Sequence, residues 1–312
     1  MCHGDRASTF GLNRFASSRQ LFARSPVAAI SHTRMKLKVY RNLWGYSSPS
    51  DAAVSALIEA GYDGIEALLV TRAEHAEMKR IRRKRQFPFK GTVWTRGAGP
   101  SASDHLLSFK KQLTALIRTG ADSINVMGGY DCWSADESAL YFEGALEFGA
   151  KMGVPISHEI HRNTALFHPT AAKRILKRFP ELRLTCDFSH WVVACERLID
   201  DQIELVRLCG TRADHIHVRV GTEESPQVPD VRTPGALPYL KAFERWWDIV
   251  WEEQLARGAT VSTLCPEFGP PPYQATQPYS GAPVAELAAI CDWQKDRQVA
   301  RFNSWIASRK RR

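Results

Sequence analysis

The sequence of 312 residues contains no hydrophobic run of the roughly 18 or more residues that a membrane-spanning helix requires. Its seven cysteines form no CxxC motif and no close pair, and a chain of this length does not need disulfides for stability. We therefore expect no membrane association, and reduced cysteines in an intracellular, cytoplasmic protein. Cys186 and Cys265 are interpreted as small buried strand residues.

Most of the chain also has no excess of positive or negative charge. The net charge of +9 is concentrated at the two ends, because residues 1–34 contribute +4 and residues 309–312 contribute another +4. The residues between are close to neutral, so the charge predicts no nucleic-acid partner. With 44% hydrophobic residues, the chain is able to bury a substantial core.

Residues 1–34 are rich in Ser, Ala and Arg, contain little acid and show no strand pattern. This composition is typical of a transit peptide, which would place the protein in a mitochondrion or another organelle. The alternative is a disordered or untranslated leader, with translation starting at Met35. In either case we expect a single domain over 35–306 and a basic tail at 307–312.

From residue 36 onward, strand-like and helix-like segments alternate, which is the rhythm of βαβ units. The predicted strands are 37–42, 63–67, 89–94, 122–127, 154–159, 182–187, 213–218 and 260–265. The predicted helices are 50–60, 72–85, 103–119, 136–152, 168–178, 196–208, 237–256 and 283–306. Several helices end in Gly just before a strand, as a left-handed cap requires. The first strand lacks the glycine-rich phosphate loop of a doubly wound sheet, so eight units predict a closed (β/α)8 TIM barrel.

Four side chains able to bind a divalent cation follow the last four predicted strands. They are Glu159 in VPISHE, Asp187 in LRLTCD, His217 in ADHIHV and Glu267 in ATVSTLCPE. One such residue means little, because a Glu at a strand end is usually a helix cap or a salt-bridge partner. Four ligands delivered by successive βα units indicate a metal site at the carboxyl-terminal mouth of the barrel.

The motifs GYDGIEA, HEIHR, CDFSHW, HIHVR and CPEFGP, in this order, resemble those of the xylose-isomerase-like TIM barrel superfamily of sugar and sugar-phosphate isomerases and epimerases. The resemblance covers about residues 36–300. It implies that one divalent metal ion is bound by Glu159, Asp187, His217 and Glu267. It also implies that the substrate contacts the histidine of D-x-x-H and the first histidine of H-x-H, which are His190 and His215.

Three carboxylates and one imidazole suit Mn2+ as the cofactor, with Mg2+, Co2+ or Zn2+ as alternatives. Such an ion polarises a sugar carbonyl, so that proton abstraction from the adjacent carbon gives a metal-stabilised enediolate. Glu159 and Glu267 are the predicted catalytic pair that removes and returns this proton. The predicted function is a metal-dependent isomerase or epimerase of a small keto-sugar or related polyol carbonyl compound.

Further polar residues near the predicted strand ends are candidate substrate contacts. His161 and Arg162 follow the fifth strand, and a structural salt bridge is an equal alternative for them. Arg219 stands where many members of this superfamily carry an acid, so it either binds an anionic or hydroxyl-rich group or pairs with a carboxylate of the site. Glu66 is predicted in the polar floor of the mouth, and Asn125 is similarly placed.

Aromatic and turn-rich segments complete the predicted mouth. Trp44, Tyr46 and Trp94 either line it or pack beneath loops. The segment 221–236 is rich in turn-forming residues and is predicted to be a lid, with Arg232 reaching inward.

Other functions share parts of this pattern. A dehydratase or lyase acting on a keto-inositol or keto-sugar uses the same proton abstraction. An abasic-site endonuclease requires additional histidine ligands, but His75 and His105 fall on predicted helices. A non-catalytic binding barrel is the third alternative, with Trp246, Trp247 and Trp251 as an exposed patch or, alternatively, as helix packing. The expected partner is a small carbohydrate, and a homo-oligomer is a weaker expectation.

Overall fold

The computed structural model describes residues 35–46 and 48–309. Within these residues, eight parallel strands pair in chain order, and β1 pairs with both β2 and β8, so the sheet closes into a barrel. The strands are β1 (Lys36–Asn42), β2 (Gly64–Leu68), β3 (Phe89–Trp94), β4 (Ser123–Met127), β5 (Ile156–Glu159), β6 (Leu184–Cys186), β7 (Ala213–His217) and β8 (Val261–Cys265). The predicted barrel is confirmed. The predicted leader lies outside the described residues.

The α-helices of the described residues surround the barrel. They are α1 (Asp51–Glu59), α2 (Arg72–Lys84), α3 (Ala102–Thr119), α4 (Ala135–Ala150), α5 (Pro169–Arg178), α6 (Ser189–Cys195), α7 (Ile203–Arg212), α8 (Leu237–Ala256) and α9 (Leu287–Arg309). The last helix continues to Arg309 and so includes part of the predicted tail. None of these helices combines the length and the hydrophobicity needed to span a bilayer.

Local side-chain chemistry determines where the helices begin and end. The Ser50 hydroxyl accepts a hydrogen bond from the backbone N–H of Ala53 at 3.1 Å and starts α1. Gly120 ends α3 with a φ of 98°, a left-handed conformation that is strained for other residues. The chain turns directly from this glycine into β4, so the helix end aligns the strand in the barrel.

The segment after β6 folds differently from the prediction. The sequence predicts one helix over 196–208, whereas α6 begins at Ser189 and α7 begins at Ile203. Where α6 begins, the Asp187 carboxylate accepts hydrogen bonds from the backbone N–H and the hydroxyl of Ser189 at 3.0 and 2.5 Å. Hydrophobic periodicity does not reveal this side-chain contact beside the candidate site.

The three tryptophans of α8 pack into the core. Trp246, Trp247 and Trp251 are all 0% exposed, and the Trp251 ring meets the Phe302 ring of α9 edge to face, with centroids 5.1 Å apart. The alternative of an exposed aromatic patch is therefore wrong, and these side chains attach α8 to its neighbours.

The predicted inward role of Arg232 is also wrong. Arg232 is exposed, and its guanidinium pairs with Asp230 at 2.7 Å instead of entering the mouth. In the surrounding segment 221–236, the Val228 N–H donates to the carbonyl of the preceding Val220 at 2.8 Å. Asp230, two residues before Arg232, is close enough in sequence to form this ion pair locally.

Candidate metal centre and active site

Four potential metal ligands meet at the mouth formed by the carboxyl ends of β5 to β8. Glu159 ends β5, Asp187 follows β6, His217 ends β7, and Glu267 lies shortly after β8. All four side chains are buried, and one ligand atom from each lies within 4.8 Å of the others. Parallel strands bring their carboxyl ends to one side of the barrel, which explains why residues distant in sequence form one cluster.

His217 Nδ1 lies at the centre of this cluster. It is 2.9 Å from Glu267 Oε2, 3.5 Å from Glu159 Oε1 and 3.9 Å from Asp187 Oδ2. Ligand atoms that share one ion through bonds of about 2.1 Å lie within about twice that length, so these separations fit a single divalent cation.

Two of these donor atoms make no hydrogen bond of suitable geometry with the described residues, although His217 Nδ1 is within ion-pair distance of Glu267 and Glu159. Glu159 Oε1 and His217 Nδ1 are buried and form no hydrogen bond to any described residue. Buried polar atoms are normally satisfied, so both atoms are placed for a group that the chain itself does not supply. The donor set of three carboxylates and one imidazole suits Mn2+, Mg2+ or Co2+ with open coordination positions.

Glu66 lies beneath the cluster and orients His217. Glu66 Oε2 is 3.1 Å from His217 Nε2 and 3.2 Å from His215 Nε2. When Nε2–H of His217 donates to this carboxylate, the lone pair of Nδ1 faces the cluster. His215 is buried in the barrel interior, where its Nδ1 is 2.6 Å from the Thr263 hydroxyl. Its predicted place beside the substrate stays a prediction.

Two asparagine side chains fix the glutamates. Asn125 Nδ2 donates to Glu159 Oε2 at 2.5 Å, and Asn42 Nδ2 donates to Glu267 Oε1 at 2.9 Å. One oxygen of each glutamate is thus held by an amide, and the other faces the cluster. Asn42 is absent from the predicted site, although it pairs in register with Glu66 and ends β1, which is the same kind of signal.

The guanidinium of Arg219 enters the cluster. Its Nη2 donates to Asp187 Oδ2 at 2.5 Å and lies 2.6 Å from His190 Nε2, and its Nη1 is 3.7 Å from Glu267 Oε2. The side chain is 1% exposed. The sequence leaves open whether Arg219 pairs with a carboxylate of the site. In the structure Arg219 pairs with Asp187, which is one of the candidate ligands.

Burial and mutual charge determine the protonation of the cluster. Burial raises the pKa of Glu159 to about 7, although His217 opposes the shift. Burial also raises the pKa of Asp187 against the attraction of Arg219. Burial acts in the same direction on Glu267, but His217 and Arg219 outweigh it and lower its pKa. Burial disfavours the His217 cation, but the surrounding carboxylates raise its pKa well above the usual value. Metal binding must displace the protons that this cluster retains.

A cavity of about 250 Å³ opens at the cluster and is large enough for a small molecule. Trp44, Tyr46 and Trp94 line it, as one of the two sequence interpretations expects. Tyr273, from the loop after β8, also lines it and meets the Trp44 ring edge to face, with centroids 4.7 Å apart. No sequence signal identifies Tyr273. A larger cleft of about 530 Å³ lies against α4 and contains none of the four candidate ligands.

Three basic residues lie close to the cavity. The rings of His161 and His190 are 3.9 Å apart between centroids, and the Arg162 guanidinium is 4.7 Å from the Tyr273 ring centroid. Burial lowers the pKa of His161 to about 3, with the charge of Arg219 adding to the shift. Burial lowers the pKa of His190 as well, so both rings are neutral near pH 7. They are able to accept or donate hydrogen bonds without adding charge.

The two cysteines near the cluster lie in the environment of packing residues. Cys186 and Cys265 are buried, and burial raises the pKa of both thiols above the usual value. A buried thiol with a raised pKa forms little of the reactive thiolate. Their interpretation as packing residues agrees with this environment.

Replacement of Glu66 with Gln tests the orientation of His217. We expect the affinity for Mn2+ to fall about 10- to 100-fold, because the carboxylate that fixes the imidazole is lost. Titration calorimetry on metal-free protein measures the change. The matched control is Glu143→Gln, an exposed carboxylate on α4, which should leave the affinity unchanged. An unaltered affinity in Glu66→Gln would show that Glu66 does not orient the candidate ligand.

Fold and site together define a (β/α)8 barrel with a candidate metal site at its carboxyl-terminal mouth. The chain is similar to the probable 3-DHS dehydratase AsbF from Bacillus anthracis, with a TM-score of 0.54, 14% identity, and 83% of this chain and 97% of that protein covered. It is similar to a sugar phosphate isomerase/epimerase from Parabacteroides distasonis, with a TM-score of 0.54, 11% identity, and 88% and 96% covered. An AP endonuclease of family 2 from Brucella melitensis gives a TM-score of 0.54, 13% identity, and 84% and 98% covered.

These similarities confirm the (β/α)8 barrel fold that the sequence predicts. The three proteins are described as carrying out different reactions, so the likeness establishes the architecture and leaves the reaction to be argued from the site. No protein-family model matches the chain, and no curated protein matches its sequence.

Proposed function

We propose that this protein is a divalent-metal-dependent isomerase or epimerase acting on a small keto-sugar or related polyol carbonyl compound. One observation carries the proposal, which is the convergence of Glu159, Asp187, His217 and Glu267 on one point beside a small cavity. The similarity to a sugar phosphate isomerase/epimerase supports the same choice. Mn2+ is the proposed ion, with Mg2+, Co2+ and Zn2+ as alternatives.

The chemistry of the site supports proton transfer next to a carbonyl. These residues would hold a divalent ion, which would polarise a sugar ketone and make the neighbouring C–H more acidic. Glu159 comes from β5 and Glu267 from the segment after β8, so the two carboxylates border the substrate from different sides. We assign one to removal of the proton, which gives an enediolate, and the other to its return. Return to the same carbon gives an epimer, and return to the neighbouring carbon gives the aldose–ketose isomer.

The remaining candidates have distinct assignments. His161, Arg162, His190 and Arg219 are assigned to substrate contacts near the cavity, and Glu66 to orienting a ligand from below. His215, which contacts Glu66 and Thr263, is retained as a further proposed substrate contact. A small carbohydrate is the proposed partner, with no nucleic acid and no membrane. Self-association stays a prediction from the sequence.

The similarity to a 3-DHS dehydratase favours a second candidate function. A dehydratase or lyase acting on a keto-inositol or keto-sugar also begins by removing the proton beside the carbonyl. The hydroxyl on the next carbon then leaves as water, so the product is an unsaturated ketone instead of an isomer. The same glutamates serve both reactions, and analysis of the product distinguishes them.

Abasic-site cleavage and a purely binding role have less support. His75 on α2 contacts the Thr119 hydroxyl at 2.7 Å, and His105 on α3 contacts the Thr95 hydroxyl at 2.7 Å. Neither histidine belongs to a cluster of potential metal ligands within 35–309. The additional zinc ligands that the resemblance to endonucleases requires are therefore not supplied by these residues. A binding barrel is expected to hold no stoichiometric metal, so metal content tests that alternative.

Proton exchange in deuterated water tests the proposed function. Metal-free protein is reconstituted with Mn2+ and incubated with keto-sugars, sugar phosphates and inosose. Proton NMR then records deuterium at the carbon beside the carbonyl. We expect exchange that requires the metal and stops when EDTA is added. Full metal occupancy without exchange in any of these compounds would contradict the proposal.

A further inference from the structure

The surroundings of Arg162 point to the chemical class of the substrate, an inference that rests on the proposed function. We propose that the substrate carries an anionic group, a carboxylate or a phosphate, and that the Arg162 guanidinium binds this group away from the reacting carbon. The substrate is then an acidic hydroxy-ketone and not a neutral sugar.

The first argument is position. Arg162 lies three residues after Glu159 and so belongs to the same strand end as a candidate ligand. Its Cζ is 4.7 Å from the centroid of the Tyr273 ring, and the Cζ of Arg219 is 5.2 Å from the same centroid. Tyr273, Arg219 and the neighbouring His161 all line the cavity. The Arg162 guanidinium is therefore next to the cavity wall, within reach of a molecule that contacts the metal site.

The second argument is the lack of a partner. Nη1 of Arg162 is buried and has no hydrogen bond to any described residue. Among the ion pairs of the described residues, none includes Arg162, whereas Arg219 pairs with Asp187 at 2.5 Å. Burial lowers the pKa of Arg162 and the nearby Arg219 adds to the shift, whereas Tyr273 and Asp187 oppose it. A buried N–H group without a partner is unfavourable, so a ligand that supplies an acceptor gains binding energy there.

The third argument is charge balance. The three carboxylates of the metal cluster are matched by a divalent ion together with Arg219. Glu66 lies one layer lower and is compensated by the buried ammonium of Lys90, with which it interacts favourably. The charge of Arg162 has no ion-pair partner among the described residues, and an anionic substrate group would balance it.

Carboxylate and phosphate present the same chemistry to a guanidinium, because both accept two parallel N–H bonds. Three compounds that share one ketohexose skeleton distinguish a carboxylate from a phosphate as the bound group. D-Fructose, D-fructuronate and D-fructose 6-phosphate carry a hydroxymethyl group, a carboxylate and a phosphate ester at the far end, respectively. Inorganic phosphate serves as a probe that does not depend on the skeleton.

Titration calorimetry measures binding of each compound to the Mn2+-loaded protein and to its Arg162→Gln and Arg162→Lys variants. We expect at least one charged compound to bind about tenfold or more tightly than D-fructose. Arg162→Gln should remove this preference, and Arg162→Lys should retain part of it. Arg96→Gln is the matched control, because Arg96 also stacks on a mouth aromatic, 5.5 Å from the Trp94 ring centroid, but is exposed.

Each outcome decides the inference. Equal affinity for the three compounds overturns it, and so does a preference for charge that persists in Arg162→Gln. If none of the hexoses binds, inorganic phosphate decides, because it should raise the melting temperature of the wild type and not that of Arg162→Gln. Metal-dependent exchange on neutral sugars without a preference for charge overturns this inference alone. Binding of charged compounds without exchange overturns the proposed function and leaves the anion site intact.

Discussion

Glu159→Gln and Glu267→Gln are each expected to slow solvent-deuterium exchange at the substrate carbon by about 10²- to 10⁴-fold, the usual contribution of a positioned acid or base. An amide cannot take up the proton, while its oxygen preserves the shape of the side chain. Asn125 and Asn42, which hold the two carboxylates at 2.5 and 2.9 Å, would still fix the replaced groups in place. The measurement is proton NMR in deuterated water with Mn2+ in excess.

Metal loss must be separated from loss of proton transfer, because both glutamates are also candidate ligands. The metal content of each variant is therefore determined under the assay conditions, and exchange is expressed per occupied site. Glu147→Gln, which changes a carboxylate with 72% of its side chain exposed, is the control and should exchange at the normal rate. Exchange that survives both substitutions at full occupancy would remove these two residues from the acid/base role.

The barrel could be predicted because its units repeat local signals. Short apolar strands, helices with polar starts and glycine ends recur along the chain, and α8 occupies the predicted 237–256 without a shift. The candidate ligands follow from the same logic, because a parallel barrel gathers the residue at each strand end at one mouth. The strand ends alone therefore predict that four residues are neighbours, namely Glu159, Asp187, His217 and Glu267.

The contacts of long side chains could not be predicted in this way. Whether Arg219 points to Asp187 or to another carboxylate depends on packing between strands distant in sequence. The layer of His215 depends on the barrel's stagger, which places it under the cluster beside Glu66. Tyr273 reaches the cavity from a loop that has no periodicity. Strand patterns determine which residues share a mouth, but they do not determine which atoms meet.

Arg219→Met is expected to lower the free energy of unfolding of the metal-free protein by about 3–5 kcal/mol, the usual effect of removing one partner of a buried ion pair. Arg219 is 1% exposed and Asp187 is 0% exposed, so solvent does not replace the lost cation. Mn2+ supplies positive charge at the same carboxylate, so it should stabilise the variant more than the wild type. Urea unfolding followed by circular dichroism, with EDTA and with Mn2+, measures both effects.

The same experiment shows whether Arg219 substitutes for the metal's charge or only fills space. Lys151→Met is the control, because Lys151 pairs with Glu147 on the exposed surface and should change neither quantity. If Arg219→Met is destabilised equally with and without Mn2+, the side chain contributes packing and hydrogen bonds alone. If the deficit disappears when Mn2+ is present, the guanidinium and the ion compensate the same buried carboxylate. That result would explain how a cluster of acids remains folded before the metal binds.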